Sequence, residues 1–193
     1  MNYDLSIREK AINIFLLQGR ISDFNLIEKL KTKLISKINT STMHYETNVK
    51  AKMSEFNSFN EDSDFHSFLN LILPYIKNIN DNPFVIHSSW GNIYENQTDH
   101  TIMHNHQGCD FMSGVLYLTE NGPGTYFKEF DFTTIEQVGK FVLFSPEADH
   151  EVKPFDYKEK RMIISFNLNS MRKWDIKNAN RTISNTSTNR RKT

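Results

Sequence analysis

What most constrains the fold of this chain is a change of rhythm after Pro83. From there the sequence breaks into short runs rich in β-branched and aromatic residues: Phe84–Tyr94, Thr101–His106, Phe111–Thr119, Thr125–Phe130, Lys140–Phe144, Glu151–Phe155 and Met162–Leu168. Strand-stopping residues separate them, in Asn121-Gly122-Pro123-Gly124, at Gly139 and in Ser145-Pro146. Many short strands in succession predict an antiparallel barrel or sandwich. The part before Pro83 reads differently. Residues 23–38 set Leu26, Ile27, Leu30, Leu34 and Ile38 at helical spacing, with Ser22 or Asp23 as N-cap. A second helical stripe, Phe65, Phe68, Leu69, Ile72 and Ile76, spans residues 63–79, with Pro74 expected to kink or end it. Both stripes suit packing against a sheet.

Composition agrees with a cored protein. Hydrophobic residues make up 38% of the 193 residues and phenylalanine alone contributes 15, which argues against wholesale disorder. The 23 basic and 23 acidic residues cancel, so there is no global pull toward nucleic acid or an anionic membrane. A single cysteine, Cys109, excludes an internal disulfide framework and a Cys-rich zinc module. No stretch approaches the roughly 18 apolar residues a membrane span requires. Asp4 and Glu9 lie close to the apolar run Ala11–Leu17, unlike the layout of a secretion signal. The expectation is a soluble cytoplasmic protein with one domain over residues 1–177, helical to about 82 and β from about 83 to 170. Residues 178–193 are polar, end in basic residues and read as a disordered tail.

His104-Asn105-His106 is the first feature that calls for a chemical explanation. Residues two apart on a strand project to one face, so the two imidazoles would align as half of a metal site. His150 follows the apolar run Phe141–Phe144 and a turn, at the entrance to another strand, where it can close a three-point site. Arg161 then opens the apolar run Met162–Phe166, a place where a guanidinium is costly to bury unless it meets an anion. A dicarboxylate that also chelates the metal, such as 2-oxoglutarate, would account for all four residues together.

Several motifs occur in an order that resembles the prolyl 4-hydroxylase-like branch of the 2-oxoglutarate- and Fe(II)-dependent oxygenases. These are His104-Asn105-His106, then Ser113-Gly114-Val115-Leu116-Tyr117-Leu118, then Gly122-Pro123-Gly124-Thr125-Tyr126-Phe127, and last Gly139 through Val152 with Arg161 beyond. The resemblance runs from Trp90 to Asn167, and the first eighty or so residues add little to it. It implies a double-stranded β-helix, a jelly-roll or cupin-like barrel, packed against the N-terminal helices. It implies His104, His106 and His150 as iron ligands, with Arg161 and Tyr117 holding the distal carboxylate of 2-oxoglutarate and Tyr94 near the same pocket. Asn92 shares a face with Tyr94, and Ser165 with Arg161, as minor polar contacts. The implied reaction is hydroxylation of an unactivated C–H bond in a small-molecule or peptidyl substrate, with O₂ consumed and 2-oxoglutarate decarboxylated to succinate. Neither nucleic acid nor membrane is an expected partner.

One departure stands out. His106 sits where the family pattern commonly has a carboxylate, and Asp110 is the alternative third ligand if the chain loops there. His100 and Cys109 are nearby residues expected to stay out of the metal shell. Two other readings remain open: a cupin-type metal dioxygenase or isomerase that does not use 2-oxoglutarate, and a catalytically degenerate barrel acting as a binding or structural module. A three-histidine zinc hydrolase is a weaker fourth.

Overall fold

The computed structural model describes residues 14–42, 47–106, 108–109, 111–120 and 122–171. Among these residues, two helices precede most of the strands. Helix α1 (Phe24–Asn39) starts where the Asp23 carboxylate accepts from the Leu26 N–H, and it buries Leu26, Ile27, Leu30 and Leu34. Helix α2 (Ser63–Ile79) is capped by Asp62, which accepts from the N–H groups of Asp64 and Phe65. Lys33 of α1 reaches both Asp62, at 2.8 Å, and Asp64, at 2.6 Å, and so ties the start of α2 to α1. Pro74 does not end α2, which continues to Ile79. Pro74 and Asn70, the residue whose carbonyl loses its helical donor, are both exposed, so water can serve that carbonyl.

The strands are β1 (Leu16–Arg20), β2 (Val49–Lys50), β3 (Lys52–Met53), β4 (Phe84–Tyr94), β5 (His100–His104), β6 (Met112–Tyr117), β7 (Tyr126–Phe127), β8 (Phe132–Thr133), β9 (Lys140–Phe144), β10 (His150–Val152) and β11 (Arg161–Ser170). They form two antiparallel sheets: a six-stranded one in the order β1-β9-β6-β11-β4-β3, and a five-stranded one in the order β2-β5-β10-β7-β8. Among the described residues the architecture is mainly β with two helices, consistent with a jelly-roll-like sandwich. Strands β4 and β9 coincide with their sequence-predicted spans. The run at Thr125–Phe130 instead gives a two-residue strand followed by a 3₁₀ turn, Lys128–Phe130. Strand β1 lies in the part expected to be helical. It pairs with β9 over its whole length, from Leu16 opposite Phe144 to Arg20 opposite Lys140. Residues 178–193, read as a tail, lie outside the described residues.

Strand β11 sorts its residues by parity, and the sorting builds the site. Met162, Ile164, Phe166 and Leu168 join the core shared with both helices. Ile163 belongs instead to a second apolar cluster with Tyr94, Val115, Tyr117, Phe127, Phe144 and Val152, which draws on both sheets. Arg161, Ser165 and Asn167 share the parity of Ile163, so the polar residues of β11 enter the space between the sheets. Neighbouring β4 and β6 add Asn92 and Ser113 by the same alternation.

Candidate functional site

His104, His106 and His150 each offer a ring nitrogen, and these ligand atoms lie within 4.8 Å of one another. His104 ends β5 and His150 opens β10, directly opposite it in the ladder. His106 reaches the cluster by a different route from the one expected. β5 stops at His104, so alternation along a strand does not place His106. Its backbone N–H donates to the Pro146 carbonyl at 2.7 Å, and its ring is held by Asn167 of β11. The Nε2 atoms of His104 and His106 are 3.3 Å apart.

The tautomers follow from the partners. Nδ1 of His104 lies 2.8 Å from the Ile102 carbonyl, and Nδ1 of His150 lies 3.0 Å from the Ala148 carbonyl. Nδ1 of His106 meets Asn167 Oδ1 and is 2.9 Å from Ser113 Oγ. Carbonyl oxygens only accept, so each Nδ1 carries the proton and each Nε2 keeps a lone pair. Burial lowers the pKa of all three rings, taking His106 down to about 4, and the neighbouring imidazoles push His106 and His150 further in the same direction. Three neutral imidazoles with converging lone pairs are what a divalent metal needs.

Arg161 is fully buried at the start of β11, with its guanidinium carbon 4.5 Å from the Tyr94 ring centre and 5.7 Å from that of Tyr117. Its Nε donates to Glu136, a buried residue in the segment between β8 and β9. The sequence reading had no role for Glu136. Burial opposes the charge on Arg161, but Glu136 together with the Tyr94 and Tyr117 phenols outweighs it, and the pKa stays raised. Burial likewise raises the Glu136 carboxyl, with Arg161 partly offsetting it. Among the described residues, both Nη atoms of Arg161 and Oε2 of Glu136 are buried without a hydrogen-bond partner. Unpartnered guanidinium nitrogens in a closed interior suit an incoming carboxylate. Gly122 makes the close approach possible, since a Cβ there would lie 2.6 Å from Arg161 Cδ and 2.7 Å from Glu136 Oε2.

A narrow cavity of about 30 Å³ is lined by the three histidines together with Asn92, Ser165, Tyr94 and Thr125 among others. It reaches the Tyr94 ring over which the Arg161 guanidinium lies. The Tyr94 hydroxyl is bonded to Thr101 at 2.7 Å, and that of Tyr117 to Thr125 and Thr134, each at 2.8 Å. The two tyrosines therefore present their rings to Arg161 while threonines hold their hydroxyls. The cavity has room for little more than a water molecule. On the other side of the histidines a wider cleft of about 510 Å³ opens, lined by Met53, Phe56, Trp90, His104, His106 and Asn167 among others.

Thus His104, His106, His150, Tyr94, Tyr117, Asn92, Ser165 and Arg161 all lie on or beside one interior space. His100 is not part of the histidine cluster, its Nδ1 lying 2.7 Å from the Thr98 carbonyl, and Cys109 is a buried thiol at the cleft whose Sγ lies 2.8 Å from the Leu168 carbonyl. Asp110 lies outside the described residues. Asn167 and Ser113 were missed. Asn167 could have been found, because it shares the parity of Arg161 on the same strand.

No protein-family model matches the chain, and no curated protein sequence does either. The fold is that of solved prolyl hydroxylases and other 2-oxoglutarate-dependent enzymes. A viral collagen prolyl hydroxylase from Paramecium bursaria chlorella virus-1, in complex with 2-oxoglutarate, is 12% identical with a TM-score of 0.63, over 82% of this chain and 96% of that one. A prolyl-4-hydroxylase from Pseudomonas putida is 14% identical with a TM-score of 0.63, over 87% and 99%. HygX from Streptomyces hygroscopicus, with nickel, 2-oxoglutarate and hygromycin B bound, is 9% identical with a TM-score of 0.59, over 89% and 88%. At such identities the likeness establishes the fold, and the chemistry has to be argued from the site.

Proposed function

We propose that this chain is an Fe(II)- and 2-oxoglutarate-dependent oxygenase that hydroxylates an unactivated C–H bond in a peptidyl or amino acid-like substrate. We read its two sheets as the double-stranded β-helix of that class, with the N-terminal helices part of the same domain. The observation that carries the reading is the pairing of two needs in one interior: three Nε2 lone pairs converging, and two buried Nη donors of Arg161 without partners among the described residues. A chelating dicarboxylate meets both. The fold's occurrence in structures solved with 2-oxoglutarate supports the same ligand.

In this reading His104, His106 and His150 hold the iron, and carbonyl and amide acceptors fix their rings. Arg161 anchors the distal carboxylate, with the Tyr94 and Tyr117 rings keeping the guanidinium in place. Asn92, whose Oδ1 is buried without a partner, and Ser165 line the path between. Bound iron with 2-oxoglutarate and O₂ would supply the oxidising power, releasing succinate and CO₂. The cleft beside His104 and His106 is where the substrate lies, its Phe56, Trp90 and Met53 excluding water from the reacting bond. Among the described residues no helix is long and apolar enough to cross a membrane. The single thiol suits a reducing, cytoplasmic setting.

Equilibrium dialysis tests the assignment. Anaerobic Fe(II)-loaded protein should retain 2-oxoglutarate, and both metal-free protein and His150→Ala should retain far less. Equal retention with and without iron would contradict chelation. Iron binding without any 2-oxoglutarate retention would favour a cupin-type metal protein, and loss of both would favour a degenerate barrel.

A further inference from the structure

Glu136 has no place in the chemistry just described, yet it occupies a position that chemistry cannot ignore. It is buried, comes from the segment between β8 and β9, and takes the Nε edge of Arg161. Its second oxygen, Oε2, has no partner among the described residues. The charged group that a dicarboxylate would meet is therefore not a bare cation. It offers two donors, the Nη atoms of Arg161, and one acceptor, Oε2 of Glu136. A dicarboxylate arriving fully ionised would bring a second carboxylate to a guanidinium that already has one, leaving a net negative charge in a closed interior. Like charges that share such a site force one of the two to keep a proton. A carboxyl beside a carboxylate also matches the donors and the acceptor present, because the shared proton gives Oε2 the donor it lacks.

We propose that Glu136 makes binding of the co-substrate proton-coupled, with the Glu136 carboxyl and the distal carboxyl of 2-oxoglutarate sharing one proton beside Arg161. The inference rests on the oxygenase reading above. The other ionisable groups that face Glu136 do not remove the need for that proton. Arg161 supplies the one full positive charge in direct contact. Lys140 of β9 acts on Glu136 only through space. Tyr94 of β4, Tyr117 of β6 and Tyr157, in the segment before β11, are neutral phenols whose pKa values burial raises. Burial also raises the pKa of the Glu136 carboxyl itself, in the direction a shared proton requires. The proton is taken up from solvent as the ligand binds and is released when it leaves.

The test is calorimetric titration of 2-oxoglutarate into anaerobic Fe(II)-loaded protein, in pairs of buffers that differ in ionisation enthalpy, from pH 6.5 to 9. Wild type should take up close to one proton per ligand at the alkaline end, with Kd rising up to tenfold per pH unit there. Glu136→Gln keeps the shape and an acceptor for Arg161 Nε, and its amide can donate to the ligand. It should show uptake near zero, a flat Kd, and binding at least tenfold tighter than wild type at pH 9. Binding by Glu136→Gln with none by wild type at any pH in the range would also overturn it, because the internal carboxylate would then exclude the ligand and not share a proton with it. Wild-type binding with no proton uptake and a flat Kd would overturn it, and that measurement decides alone if the glutamine variant does not fold. If neither protein binds 2-oxoglutarate while both still bind Fe(II), the oxygenase reading falls and this proposal with it.

Discussion

Replacing Asn167 by alanine should weaken metal binding without touching a metal ligand. Asn167 Oδ1 accepts from His106 Nδ1 and also from the Ser113 hydroxyl, at 2.7 Å. Its amide nitrogen donates to Ser88 Oγ at 3.1 Å, which fixes which way the amide faces. In Asn167→Ala the His106 Nδ1 proton loses its carbonyl acceptor but still has Ser113 Oγ, 2.9 Å away. Loss of a buried hydrogen bond of this kind costs about 1–1.5 kcal/mol, and removing a partner that orients a metal-binding histidine costs roughly 10–100-fold in affinity. The single variant should therefore sit at the low end, about tenfold weaker. Ser113→Ala, which leaves Asn167 in place, should cost only about threefold. The double variant leaves Nδ1 without a fixed acceptor and frees the ring to adopt the wrong tautomer. It should approach about 100-fold, more than the product of the singles, as expected for residues in one network. Anaerobic competition titration with Fe(II) or Ni(II) measures each value, with circular dichroism confirming the fold. A folded double variant within twofold of wild type would refute the orienting role of this pair.

Arg161→Ala should be a poor probe of ligand binding, because it strands the buried Glu136 carboxylate. Urea denaturation should show a loss of about 3–5 kcal/mol, largely recovered in the Arg161→Met/Glu136→Leu double variant, where no unpaired charge remains. The metal-free protein should lose stability in acid. A histidine in the unfolded chain takes its proton near 6.5, whereas folded His106 resists to about 4, so the unfolded state binds more protons between those values. Stability should fall as pH drops through that window, by at most about 3 kcal/mol from His106, and a denaturation series in chelator checks it. Gly124→Ala should cost about 3 kcal/mol. Gly124 has φ +81°, and a Cβ there runs into the Thr134 carbonyl, whose own N–H closes the turn onto Thr125. Thermal unfolding measures that loss.

Much of the architecture was legible because it rests on local periodicity. The apolar stripes of both helices and the strands at Phe84–Tyr94 and Lys140–Phe144 record period and turn chemistry directly. Strand β1 was not legible, since Leu16–Arg20 contains Gln18 and Gly19 and becomes a strand only by pairing with β9. The histidines announced themselves by residue type. The expected reason for His106 was wrong, however: the strand ends at His104, and a side chain on β11, sixty-one residues later, sets the ring instead. Glu136 left no local mark. In the chain it is one acidic residue in a short connecting segment, and only closure of the sandwich brings it to Arg161. The one available hint was physical, because a buried arginine needs a counter-charge.

The central claim, that iron and 2-oxoglutarate meet in this interior, is tested most directly by optical titration. Anaerobic Fe(II)-loaded protein titrated with 2-oxoglutarate should develop the weak visible charge-transfer band of an iron-chelated keto acid. The band should saturate at one ligand per chain and be lost in His106→Ala. Tight Fe(II) binding with no band at saturating 2-oxoglutarate would contradict the account.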